Sequence, residues 1–156
     1  MGAPFKNLLR LVGIGRRPVP VEFSHVAELI AELKTTARAA GQGSFTFTDG
    51  QGTYLGFVQL IVDSPRKLTI HRVWTPSARQ GRGRAMMRIL CDLADRHDVE
   101  LSLKVIPLGR KPYPMSREQL KAWYERQGFS GEKWRLLRKP MRAAAKESQA
   151  RGKERE

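Results

Sequence analysis

Apolar residues at Val26, Leu29, Ile30, Leu33 and Ala37 recur at helical spacing and predict a helix. Ser24 suits its N-cap, and Gly41 ends the run. Before it, Phe5, Leu8, Leu9 and Val12 place one apolar face on a short helix over residues 4–12, and Gly13, Gly15, Pro18 and Pro20 then break the chain. Phe45 and Phe47 alternate with Thr46 and Thr48, which predicts a strand. Asp49 to Gly52 reads as a hairpin turn, and residues 53–62 resume as a strand. A turn over Asp63–Lys67 leads to a further strand from Leu68 to Thr75. A helix from about Gly83 to His97 follows, with Met86, Ile89, Leu90 and Leu93 on its apolar face. Val99, Leu101, Leu103 and Val105 then alternate with Glu100, Ser102 and Lys104. Strand, helix and strand in that order predict a right-handed crossover between parallel strands. Ser116 and Gln119 form a capping box for a helix through Leu120, Trp123 and Tyr124, which Gly128 stops. A last strand is expected over Lys133–Leu137, and a frayed or disordered tail beyond Pro140.

A chain of 156 residues, 40% of them hydrophobic, is one domain with a core of its own. Its single cysteine, Cys91, has no disulfide partner, and no Cys/His cluster has metal-ligand spacing, so no metal is expected. Arg10, Arg16 and Arg17 interrupt the N-terminal apolar residues, which argues against a signal peptide. Tyr54 to Val62 is far short of the ~20 residues that span a bilayer. These features predict a soluble, cytoplasmic protein.

Charge alters this picture. Twenty-nine Lys and Arg stand against 15 Asp and Glu, for a net charge of +14. Residues 1–20 carry Lys6, Arg10, Arg16 and Arg17 and no acid, and residues 139–156 add a surplus of three bases. Such a field attracts nucleic acid, acidic proteins or a polyphosphate ligand, or it belongs to solvated tails. No aromatic stripe interleaves with the bases along the chain, so no stacking platform for single strands is evident.

The segment from Val73 through Gly81-Arg82-Gly83-Arg84-Ala85 runs from a strand, through a glycine-rich turn, into a helix. Glycines let backbone amides approach a ligand, and the first helical turn offers unpaired N–H groups and partial positive charge. Together they form an anion site, with Arg79, Arg82, Arg84 and Arg88 around it. The loop lacks the third glycine of a dinucleotide fingerprint and the Gly-Lys-Ser/Thr of a nucleotide-triphosphate loop. It does meet the pattern Gln/Arg-x-x-Gly-x-Gly/Ala through Gln80, Gly83 and Ala85.

That pattern, followed by Trp123-Tyr124 and then Gly128-Phe129, resembles the GNAT N-acetyltransferase family over roughly residues 68–138. The resemblance implies an α/β fold: a mixed, mostly antiparallel sheet with a central splayed pair of parallel strands and helices on both faces. It divides the chain into a basic segment (1–20), an acetyltransferase domain (21–140) and a charged tail (141–156). Val19–Phe23 is the candidate for the family's first strand. Acetyl-CoA is the implied co-substrate. Its pantetheine arm would lie along Val73, Trp74 and Thr75, and its pyrophosphate on Gln80, Gly81, Arg82, Gly83, Arg84 and Ala85. Gln80 stands where arginine is frequent, and Arg84 where an apolar residue is usual.

Acetyl transfer needs a neutral amine, a base for its proton and an acid for the leaving thiolate. The resemblance gives the acid role to Tyr124. His71 is the candidate base, because it lies on the adjoining strand and imidazole is the commonest general base among side chains. It shares a face with Val73 and Thr75 only if that strand is regular. The acceptor is an amine of unspecified kind, on a protein or a small molecule. A basic surface suits an acidic acceptor protein better than a polyamine. The alternative reading is an inactive module of the same fold that uses its bases to hold nucleic acid or an acidic partner.

Overall fold

The structure, a computed structural model, describes residues 24–76, 81–109, 111 and 114–141. The expected helix over 4–12, the strand Val19–Phe23, the positions of Arg79 and Gln80, and most of both charged terminal segments lie outside them.

The elements run α1 (His25–Thr36), β1 (Ala37–Ala39), β2 (Ser44–Thr48), β3 (Tyr54–Ser64), β4 (Lys67–Trp74), α2 (Arg82–His97), β5 (Glu100–Lys104), α3 (Arg117–Arg126) and β6 (Arg135–Arg138). The strands form one sheet in the order β1-β2-β3-β4-β5-β6. Every neighbouring pair is antiparallel except β4 and β5, which are parallel across the α2 crossover. This is the mixed sheet with a single parallel pair that the resemblance implies.

Capping chemistry sets the helix starts. Ser24 Oγ accepts the Ala27 amide at 3.0 Å, and Val26 N–H donates to Pro65 O, docking the start of α1 on the β3–β4 turn. Ser116 and Gln119 form the expected reciprocal box at α3, at 3.1 and 2.9 Å. The β2–β3 turn is organised by the Asp49 carboxylate, which accepts the amides of Gln51 and Thr53. Those hydrogen bonds hold its pKa below the ordinary 3.8.

One expectation is corrected here. Ala37 was expected to continue the helix towards Gly41; instead α1 ends at Thr36, and Ala37–Ala39 pair with Phe47, Thr46 and Phe45 as the edge strand β1. Ala37 is buried either way, so its apolar side chain does not distinguish helix from strand. The two preceding threonines favour leaving the helix, since threonine is a poor helix former.

Phe45, Phe47, Val58, Leu60, Leu68, Ile70, Leu101, Leu103 and Leu136 project from one face of the sheet and are buried. Helices α1 and α2 pack against each other and cover this face through Leu29, Ile30, Leu33, Met86, Leu90 and Leu93. Helix α3 is tied to the strand ends: Arg117 Nε donates to Val105 O at 3.0 Å, and the Arg117 guanidinium lies 4.3 Å from the Trp134 ring centroid. The described residues include no helix long and apolar enough to cross a membrane.

Candidate functional site: the parting of β4 and β5

The parallel ladder is short. Lys67 to Ile70 pair with Glu100 to Leu103 and the register then ends, although β4 continues to Trp74. Beyond Lys104 the chain turns towards β6, where Val105 N–H donates to Trp134 O at 2.7 Å. The two strands therefore part. Among the described residues, the edge of β4 that faces β5 has no strand partner from His71 to Trp74.

A β-bulge sits where they part. Gln59 pairs with Arg72 and Leu60 with Ile70, which leaves His71 as the extra residue of β4. The bulge resets the alternation. Val73, opposite Val58, is on the core face, whereas His71 and Arg72 are exposed. The strand is thus not regular, and His71 does not share a face with Val73. Trp74 pairs with Phe57, its ring stacks on Phe57 on the face away from the core, and its carbonyl oxygen lies against Gly56 on β3.

Gly56 on β3 shapes the end of β4. Its φ is +144°, and a Cβ there would stand 2.1 Å from Trp74 O and 3.0 Å from Met86 Cε. No other residue type fits without pushing the end of β4 away. Nothing in the hydrophobic pattern marked this position.

The N-terminus of α2 comes next in the chain. Gly81 is its N-cap, in the left-handed conformation (φ 72°), with no side-chain cap and no acidic residue in the first turn. Gly81 O accepts the Ala85 amide at 3.0 Å. The amide of Ala85 is therefore committed to the helix, and the first-turn amides of Arg82, Gly83 and Arg84 are those a bound anion would use. Arg84 is exposed and Arg82 half-buried.

Gly83 is the meeting point. A Cβ on it would lie 3.4 Å from Trp123 Cζ2 and 3.5 Å from Thr75 Cγ2. The start of α2, the end of β4 and helix α3 thus converge. Tyr124 follows Trp123, with ring centroids 5.0 Å apart, and stands edge-on to Phe129 at 5.8 Å. It is buried, and desolvation pushes its pKa up to about 12, so the phenol is protonated throughout the neutral range. Cys91, also buried, has its thiol pushed up to about 11 by burial, which leaves it a poor nucleophile.

The structure therefore brings together Thr75, Gly81, Arg82, Gly83, Arg84 and, through Trp123, Tyr124. Val73 reaches the same cleft by its main chain. His71 is set apart on the opposite face, and Gln80 lies outside the described residues. Sequence reasoning missed Trp123 as the ring that covers Gly83; its place in the Trp123-Tyr124 pair was the available signal.

No family model matches the chain, and no curated protein matches it. Solved structures of similar shape, all of low identity, include a GNAT family acetyltransferase and an acyl-CoA N-acyltransferase. Ard1 from Thermoplasma volcanium is 17% identical, with 73% of this chain and 79% of that one covered and a TM-score of 0.49. A GNAT family acetyltransferase from Elizabethkingia anophelis, with acetyl-CoA bound, is 13% identical, with 81% and 94% covered and a TM-score of 0.48. An acyl-CoA N-acyltransferase from Pseudomonas aeruginosa is 17% identical, with 86% and 91% covered and a TM-score of 0.44.

Proposed function

We propose that this protein is an acetyl-CoA-dependent N-acetyltransferase of the GNAT type, acting on a primary amine. One observation carries the reading: the end of β4 at Thr75, the first turn of α2 at Gly83, and helix α3 at Trp123 and Tyr124 meet at one place. An extended ligand arm with amide groups pairs with a free strand edge as another strand would. A pyrophosphate at the end of that arm then meets the first-turn amides of α2, the positive end of the helix dipole and the Arg82 and Arg84 side chains. The residues present fit coenzyme A in those respects.

In this reading the neutral amine nitrogen attacks the thioester carbonyl carbon. The C–N bond forms, the C–S bond breaks, and the nitrogen gives up one proton to water. The Tyr124 phenol supplies a proton to the departing thiolate and is reprotonated at once, because its phenolate is a strong base in this buried site. Cys91 takes no part, and transfer is direct.

The test is calorimetric titration with acetyl-CoA, with ATP as the polyanion control. Saturable binding near micromolar, about −8.2 kcal/mol, is expected for acetyl-CoA and not for ATP. Gly83→Asp, which sets a carboxylate beside the first-turn amides, should abolish it. Arg84→Glu reverses an exposed charge without disturbing packing and should weaken it. Equal binding of ATP and acetyl-CoA that vanishes with salt would reduce the site to a basic patch.

A further inference from the structure

The sheet face opposite α1 and α2 carries a pattern that acetyl transfer does not use. By register, Arg38 stands beside Thr46, Thr46 beside Phe57 and Phe57 beside Trp74, so one row crosses β1 to β4 on this face. The next row runs from Ser44 through Gln59 to Arg72, and the bulge adds His71. Trp74 stacks on Phe57 with ring centroids 5.9 Å apart, and Tyr54 lies 6.4 Å from Trp74. Trp74 and Tyr54 are each 39% exposed. These rings are separated by up to twenty positions in sequence, and strand pairing alone brings them together. An aromatic platform exists that the linear order conceals.

Positive charge predominates on this face. Arg38, Arg72, Lys104 and Arg135 are exposed on it, and none forms an ion pair with a described carboxylate. The two acids among its described strand residues have partners: Asp63 the Thr69 hydroxyl, and Glu100 Lys67 at 3.5 Å. A second copy of the chain, at +14, would be repelled. Residues 1–23 would be repelled too, with four bases against the one acid Glu22. An acidic peptide would satisfy the arginines and leave the rings without matching flat partners. A nucleic-acid duplex would satisfy the arginines but hides its base faces.

We infer that this face binds single-stranded nucleic acid, with bases stacked on Trp74 and Tyr54 and phosphates held by Arg38 and Arg72. Stacking on exposed aromatic rings is tolerant of sequence, and flanking arginines track the backbone. From β1 to β4 the row spans about 14 Å, at 4.7–4.9 Å per strand, enough for a short run of nucleotides.

The experiment is fluorescence anisotropy on the full chain with a labelled single-stranded oligothymidylate. A duplex of the same length and polyglutamate serve as competitors, and the titration is repeated across a salt series. The single strand should bind more tightly than either competitor. Trp74→Ala should weaken it by roughly five- to a hundredfold, leaving the salt slope unchanged, and Trp74→Phe should restore most of the affinity. Arg72→Ala should lower the slope of log K against log salt by about 0.7. Circular dichroism checks that each variant is folded, and Tyr54→Ala replaces Trp74→Ala if the latter is not. Equal binding of all three polyanions, or an aromatic variant that binds as wild type does, would overturn the inference and leave delocalised charge as the whole of the attraction.

Discussion

Tyr124 shows what burial does to a phenol. A phenol in water begins to lose its proton near pH 10. Here desolvation by the core raises that point to about 12. The form that donates is the neutral one, so its supply is full below the folded pKa and lost only as pH rises through it. The wild-type rate should therefore hold to about pH 10 with no alkaline fall assignable to this group. Tyr124→Phe keeps the edge-on contacts with Trp123 and Phe129 and removes only the hydroxyl. It should lower kcat by about a hundredfold or more while leaving the Kd for acetyl-CoA unmoved. A Phe variant with wild-type kcat would return Tyr124 to a packing role. Gly83 shows the complementary case: its value lies in an absent side chain, between Trp123 and Thr75.

Element by element, the sequence was most informative where one physical signal dominated. The capping box at Ser116, the alternation in β2 and β5, and the apolar stripe of α2 all fell within a residue or two of their observed bounds. Where two structures satisfied the same pattern, the sequence was silent, as at Ala37, buried alike in helix or strand. The bulge at His71 was equally hidden, because an extra residue in one strand is defined by its partner strand. That residue turns the candidate base away from the face of Val73. Nor did periodicity mark Arg138, a charged residue on the core face of β6 that is only 8% exposed. Its guanidinium grips both oxygens of Asp95 on α2 at 2.8 Å, and its Nε reaches Gln127 O at 3.2 Å, joining α2, β6 and the end of α3. Burial alone would raise the Asp95 pKa; hydrogen bonds from Arg138 and from the Met141 amide outweigh it and hold the group below its ordinary 3.8. A depressed carboxylate contributes stability that is present above the unfolded pKa and lost as pH falls through the folded one. Asp95→Asn should cost roughly 2–4 kcal/mol at neutral pH in urea unfolding, because it leaves Arg138 buried without its counter-charge. That difference should narrow as pH drops below about 4, where the wild-type carboxylate itself takes up a proton. A constant gap across that range would mean the clasp acts by shape and not by charge.

At the scale of the whole molecule, the surplus of 14 positive charges acts on every ligand before any contact forms. Coenzyme A brings phosphates to this field, so the field should raise its affinity without touching the chemical step. Screening separates the two, since the Debye length falls from about 10 Å at 0.1 M salt to about 3 Å at 1 M. Raising salt through that range should weaken the Kd for acetyl-CoA by about tenfold, with kcat at saturation nearly constant. The acceptor senses the same field with its own sign. An amine on an acidic protein is drawn in at low salt and should lose kcat/KM as salt rises. A polyamine such as spermidine is repelled and should gain. Measured side by side at low and high salt, the two acceptors should move in opposite directions. A polyamine preferred already at low salt would mean that a local anionic pocket outweighs the global charge, and it would move the search for the acceptor site away from the basic surface.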